Sequence, residues 1–160
     1  MDKILTNRAQ SVQNALKQKG LDCKVMELPS STRTAQDAAT SIGCEVSQIV
    51  KSLIFKTKET GRPVLILASG VNRVNEEIIE SYIGERVSKA DADFTREITG
   101  FAIGGIPPIG HAKNIDLIFI DQDLVKYDSV WAAAGTPNSV FNIGSKDLVS
   151  ITNGKVISII

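Results

Sequence analysis

One histidine, two cysteines and one tryptophan are spread over 160 residues, and each scarcity removes a class of chemistry. With His111 alone, and Cys23 and Cys44 outside any CxxC pair, no zinc-ligand spacing exists, and a metal or other cofactor is not expected. Two isolated cysteines also exclude a disulfide scaffold and suit a reducing, cytoplasmic setting. Charge of one sign is missing: Lys+Arg and Asp+Glu are both 18. That balance excludes a broad surface held to nucleic acid by phosphate neutralisation, but leaves room for a local contact with a nucleic-acid end. No apolar run approaches membrane-spanning length, and Met1 to Arg8 lacks the apolar core of a signal peptide, so no membrane partner is expected. What is present is an ordinary share of hydrophobic residues, 42%, in a chain long enough for one domain, 1–160, with a substantial core.

The patterning predicts many strands with short helices between them. Ile4, Leu5, Val12, Ala15 and Leu16 recur near helical spacing over residues 3–19, and Gly20 stops the helix. Cys23 to Leu28 reads as a first strand ended by Pro29, and Ser30 to Arg33 as a loop. Thr34 caps a helix carrying Ala35, Ala38, Ala39 and Ile42, closed by Gly43. Val64 to Ala68 is apolar throughout and is expected at the centre of a sheet. A helix from Asn75 to Ile83 turns Ile78, Ile79, Tyr82 and Ile83 inward, and Asp91 or Asp93 opens another toward Ile98. Ile115 to Ile120, Ser129 to Ala134, Ser139 to Ile143 and Lys155 to Ile160 read as strands, with Ser145 capping a helix between the last two. The expected class is α+β, a mixed, barrel-like sheet flanked by short helices, rather than a regular βαβ array.

Lys51 stands inside the apolar run Ile49-Val50-Lys51-Ser52-Leu53-Ile54-Phe55. Alternation along a strand puts Ile49, Lys51, Leu53 and Phe55 on one face and Val50, Ser52 and Ile54 on the other. Both faces are largely apolar, so the strand is expected to be covered on both sides. A lysine in that setting is paired, reaches out to water, or lines a cavity; the alternative is an edge-strand lysine that discourages edge pairing. Further on, Gly104-Gly105-Ile106-Pro107-Pro108-Ile109-Gly110-His111 packs three glycines and two prolines into one loop. Glycine allows close backbone approach to a ligand and proline holds one shape. Such a loop either aims backbone N–H groups at an oxygen or serves as a rigid turn. It lacks the lysine and spacing of a phosphate-binding P-loop.

Lys51-Ser52-Leu53, then Ala68-Ser69-Gly70, then Gly104 through Pro108, in this order and preceded by Ala35-x-x-Ala38-Ala39 and Gly43, resemble the YbaK/prolyl-tRNA synthetase-associated editing domain. The likeness runs from about residue 20 to the C-terminus. It implies a free-standing, trans-acting deacylase of one editing domain. Its substrate would be tRNA, foremost tRNA for proline, carrying a wrongly attached small amino acid, with an aminoacyl-tRNA synthetase as a further partner. It also implies catalytic roles for Lys51, Gly104, Gly105 and Pro108, and substrate contacts from Ser52, Ser69, Gly70, Ile106, Gly110, His111 and Gly135. One departure stands out. Some members carry Ser-Gly-Gly where this chain reads Ala133-Ala134-Gly135-Thr136-Pro137, so only Gly135 corresponds.

The residues alone leave roles open. Lys51 can hold the terminal phosphate, a ribose hydroxyl or the ester carbonyl. His111 can act as a base or as a structural hydrogen-bonding group. Cys44 in a Cys/His pair is disfavoured, because a helix C-terminus raises a thiol pKa. Trp131 and Phe141 suit the core or a stacking wall, and Arg33, Asn72, Arg73 and Lys113 suit solvated loops or contacts with a nucleic-acid end. Two other functions compete: a non-catalytic module binding tRNA or a synthetase, and a hydrolase of small amino-acid esters.

Overall fold

In the computed structural model, which describes residues 5–29 and 34–160, local sequence signals set most of the element ends. Helix α1 (Asn7–Gln18) starts where the Thr6 side chain accepts the Ala9 N–H, and buries Ala9, Val12 and Leu16 completely. Ile4 and the loop from Ser30 to Arg33 lie outside the described residues. The first strand is shorter than the sequence predicts: β1 is only Met26–Glu27. Its upstream residues find a side chain instead of a strand partner. Gln13 on α1 donates to the Cys23 carbonyl at 2.8 Å and accepts the Val25 N–H at 2.8 Å. Those backbone groups are therefore satisfied without a ladder.

Helix α2 (Ala35–Ile42) is capped by Thr34, as predicted, and closed by Gly43 in the left-handed conformation. A 3-10 turn, Val46–Gln48, leads into β2 (Ile49–Thr57), which hairpins into β3 (Pro63–Ser69). Helix α3 (Glu76–Ile83), capped by Asn75, is followed by a short strand β4 (Val87–Lys89), and α4 (Ala92–Thr99) opens on Asp91. After the glycine-proline loop come β5 (Leu117–Asp121), a single helical turn α5 (Gln122–Val125), β6 (Ser129–Ala133) and β7 (Ser139–Gly144). Helix α6 (Ser145–Thr152) and β8 (Lys155–Ile157) complete the chain. Ser145 does not cap α6; Gly144 holds that position, and the Ser145 hydroxyl donates to the Tyr127 carbonyl at 2.6 Å. Tyr82 does not turn inward. It is half exposed and lies against the Phe119 ring, with the Lys155 ammonium over its face.

The sheet is mixed, eight-stranded and flanked by short helices, in the order β1-β7-β6-β2-β3-β5-β8, with β4 also paired to β2. Its two faces carry the two large apolar clusters. Val50, Ile54, Leu65, Leu67 and Ile120 point to one, with α1, α6 and Phe141 packed over them. Phe55, Val64, Ile66, Ala68 and Phe119 point to the other, under α3. The strict alternation along β3 follows from the period of a strand, and coverage on both faces explains why that strand is apolar throughout. β3 is central, between β2 and β5.

Candidate active site

β2 has two different partners on the edge away from β3. β6 runs parallel to it at Ile49 and Val50 only, and β4 runs antiparallel from Phe55 to Thr57. Between these ladders the edge of β2 has no strand beside it, and there a cavity of about 580 Å³ opens. Lys51, Ser52 and Leu53 form its wall on β2. Gly104 and Ile106 enter from the glycine-proline loop, Gly70 from the end of β3, and Trp131, Ala132 and Ala133 from β6. Thr34, Ala35 and Ala38 close it from the start of α2. The two features singled out in the sequence, the lysine and the glycine-proline loop, thus face one hollow.

Lys51 is half-buried, and its Nζ donates to the backbone carbonyl of Asn72 at 2.7 Å. No carboxylate is paired with it; the ion pairs among the described residues are Lys113–Glu97 and Lys126–Asp123. Burial pushes its pKa below the usual lysine value, the nearby charges of Lys89 and Arg73 push the same way, and Asp121 opposes them. Lys89 is opposite Phe55 in the β2–β4 ladder, so its side chain shares the sheet face of Lys51. Lys51, the cation of the cavity lining, thus has two further cations near it in a chain of zero net charge.

Ser52 contributes a hydroxyl that is buried and has no hydrogen-bond partner among the described residues. A buried unsatisfied hydroxyl costs about 1–3 kcal/mol; Ser52 lines the cavity, but its Oγ is itself covered. On the loop, the Gly105 N–H is spent on the Ala102 carbonyl at 3.0 Å. The Gly104 and Ile106 N–H groups have no acceptor among the described residues. The loop is held in place by the Gly135 N–H, which donates to the Gly105 carbonyl at 2.9 Å. A Cβ on Gly105 would lie 3.1 Å from the backbone of Gly135 and Thr136, so glycine there permits the close approach of two backbones. Gly104 has φ +97° and open space where a Cβ would stand, as suits a residue whose backbone faces a ligand.

The remaining sequence-derived candidates fall elsewhere. Ser69 is fully buried and its hydroxyl donates to the Ser47 carbonyl at 2.8 Å, behind the cavity wall. Gly105 and Gly135 brace the loop from beneath. Pro108, Gly110 and His111 line a second, polar hollow of about 430 Å³ with Lys19, Lys113 and Asn114. There the His111 Nε2 is bonded to the Pro107 carbonyl at 2.7 Å, and burial lowers its pKa. Cys44 packs with Ala35 and Ile42 against a small apolar cluster; burial raises its thiol pKa, and it does not line the cavity. Phe141 is core, whereas Trp131 is partly buried and forms a cavity wall. Among the described residues no group of three His, Cys, Asp or Glu side chains converges as a metal site would require.

Trp131 is a wall residue that the sequence allowed for, but sequence reasoning missed the other apolar walls, Leu53, Ala132, Ala133 and Val140. Alternation alone would assign these to the core. Their exposure to a cavity arises only because β2 changes partners midway.

The arrangement offers one ammonium and, among the described residues, two backbone N–H groups without an acceptor beside a mostly apolar hollow: donors for an anion or carbonyl beside room for a small side chain. Comparison with known proteins agrees with that chemistry. The family model of the aminoacyl-tRNA editing domain matches residues 29–151. A solved structure described as a candidate trans-editing enzyme for prolyl-tRNA synthetase superposes with a TM-score of 0.91 at 44% identity, covering 97% of this chain and 98% of that one. The uncharacterized protein YwhH of Bacillus subtilis is 30% identical over 132 residues, 82% of this chain and 83% of its own. A proline–tRNA ligase of Limosilactobacillus fermentum is 37% identical over 95 residues, which are 57% of this chain and only 16% of that enzyme.

Proposed function

We propose a reaction for this chain on the premise that it belongs to the aminoacyl-tRNA editing domain family, matched over residues 29–151. The reaction is hydrolysis of the ester that joins a wrongly attached small amino acid to the terminal ribose of a tRNA, with the chain acting in trans. The observation that carries this reading is the shared cavity: Lys51 and Ser52 of β2 and Gly104 and Ile106 of the glycine-proline loop border one hollow of about 580 Å³. Its apolar walls, Leu53, Trp131, Ala132 and Val140, accept an aminoacyl side chain. The likeness to the candidate trans-editing enzyme over nearly the whole of both chains supports action in trans and makes tRNA for proline the leading carrier.

In this mechanism Lys51 holds negative charge, either the terminal phosphate or the carbonyl oxygen as it becomes an oxyanion. The Gly104 and Ile106 N–H groups are fixed donors for the same oxygen or for the aminoacyl group. Water is the nucleophile: it adds to the ester carbonyl, the ribose oxygen leaves with a proton, and free amino acid and uncharged tRNA result. Lys51 is read as a charge-stabilising group, its Nζ donating to the Asn72 carbonyl; burial works against that charge and lowers its pKa. His111 stands outside the cavity and takes no step.

The test is a deacylation panel in which purified protein, at catalytic concentration, meets tRNA for proline charged with alanine, serine, threonine, cysteine or proline. Multiple turnovers on at least one mischarged species, with prolyl-tRNA spared, are expected. Binding without turnover would make the chain a tRNA-binding module. Equal hydrolysis of free amino-acid esters would make it an esterase.

A further inference from the structure

Lys51 is anchored from behind by a turn, and the turn is anchored by a buried carboxylate. We infer that Asp121 and Asn72 are positioning residues for Lys51: the Asp121 carboxylate locks the Asn72 side chain, and the locked Asn72 carbonyl fixes the direction of the Lys51 ammonium in the cavity. This inference rests on the reading of Lys51 as the charged group of the deacylation site.

Asp121 ends β5 and is 1% exposed. A buried carboxylate is costly unless it is paired or well hydrogen-bonded, and no ion pair among the described residues includes this one. It is satisfied by three N–H donors instead. Oδ2 accepts the Ser69 N–H at 3.0 Å and the Asn72 side-chain amide at 2.8 Å, and Oδ1 accepts the Asp123 N–H at 2.9 Å. The last bond caps α5, and capping that turn needs nothing more. The other two bonds reach across to the end of β3 and the turn after it, where capping has no use for them.

Asn72 is held through its side-chain NH2 group and both of its backbone polar groups. Its side-chain amide donates to Asp121 and also to Asp123 Oδ2, at 2.7 Å, and its backbone N–H donates to the Ser69 carbonyl at 3.0 Å. The carbonyl that remains is the one accepting from Lys51 Nζ at 2.7 Å. A lysine has a long, flexible stem and three donors on its ammonium. Spending one donor on a rigid carbonyl leaves two with defined directions, so a substrate oxygen meets a preset donor rather than a mobile one. The charges agree with this. Lys89 and Arg73 repel the ammonium, and Asp121, on the side of the turn, attracts it.

Two variants separate positioning from scaffolding. Asn72→Ala keeps the backbone carbonyl and deletes the amide that locks it. Asp121→Asn keeps the shape and removes one acceptor and the charge. Each is assayed on tRNA for proline charged with alanine, and each is examined by 13C relaxation of the Lys51 ε-methylene group. For both, kcat is expected to fall about ten- to a hundredfold with KM within about twofold, and the Lys51 ε-methylene order parameter is expected to drop. If Asp121→Asn does not fold, Asn72→Ala decides alone. Folded variants in which Lys51 stays as ordered as in the wild type overturn the inference, whatever happens to the rate. Should the wild type not hydrolyse the ester, a drop in Lys51 order still upholds the positioning, and only the proposed reaction falls.

Discussion

The Lys51 ammonium lies 2.7 Å from the Asn72 carbonyl oxygen and has no carboxylate partner. A half-buried cation held this way is a cost to the fold. Burial and the charges of Lys89 and Arg73 all lower its pKa, which means the folded state disfavours the charged form. At neutral pH, well below the usual lysine value, that penalty is present in full and is relieved only as pH rises through the folded pKa. Lys51→Met is therefore expected to do two opposite things. Deacylation falls by about 100- to 1,000-fold, the usual loss for one charge-stabilising donor, while the thermal midpoint at neutral pH stays level or rises. Single-turnover kinetics and calorimetry on the same preparation check both halves. Lower stability together with wild-type turnover would sink the assignment.

Gly70 makes the cavity wall a close-packing problem. A Cβ there would lie 2.4 Å from the Val46 carbonyl oxygen and 2.9 Å from the Ala35 Cβ. Neither is the end of a flexible side chain, so the 3-10 turn and the start of α2 would have to move. Gly70→Ala is expected to destabilise the protein by about 1–3 kcal/mol, the range for overpacking, and to lower activity as well, since Val46 and Ala35 line the cavity. Denaturant unfolding measures the first effect and deacylation the second. Gly104→Ala has open space around its Cβ but stands at φ +97°, so it is expected to lose activity and to cost stability through backbone strain rather than overpacking.

The fold was legible where a local signal decides the outcome. Thr34, Asn75 and Asp91 cap the helices that the sequence assigns to them, Gly43, Gly84 and Gly100 end those helices in the left-handed conformation, and the apolar β3 is central. It was illegible where a partner decides. Nothing local shows that Gln13 replaces a strand partner for Cys23 and Val25, or that Val87–Lys89 forms a strand. The latter has three residues and no apolar alternation, and exists only because β2 offers an edge. The site divides in the same way. Lys51 and the glycine-proline loop were visible because each breaks a local pattern. The apolar walls other than Trp131 were not, nor was the Asp121–Asn72 anchor, since their roles depend on a fork in the sheet and on residues far apart in sequence.

His111 gives the fold a pH dependence separate from the site. It is held in the second hollow by the Pro107 carbonyl, and burial lowers its pKa from 6.5. A base whose pKa is lowered on folding contributes stability that is intact above its unfolded value and is lost as pH falls below it. The thermal midpoint is expected to decline as pH is lowered from about 7 to about 5, and His111→Gln should flatten that decline. Because His111 is outside the cavity that holds Lys51, the same variant should keep any deacylase activity at neutral pH. Loss of turnover in a folded His111→Gln protein would restore the histidine as a base.

The size of the aminoacyl side chain admitted should be set by the β6 wall. Ala132 and Ala133 follow Trp131 in the cavity wall, and Ala133 is only partly buried. A longer side chain there can extend into the hollow instead of into packed core, so volume is removed without the strain of overpacking. Ala133→Leu is expected to lower kcat/KM for the larger aminoacyl groups more than for alanine. Discrimination by a single methylene in an apolar pocket is about 10- to 200-fold. Competition between alanyl-tRNA and threonyl-tRNA, both on tRNA for proline, reads the ratio directly and cancels any change in tRNA affinity. An unchanged ratio in the folded variant would mean that the amino acid does not sit against β6, and the cavity would then have to hold the terminal adenosine instead.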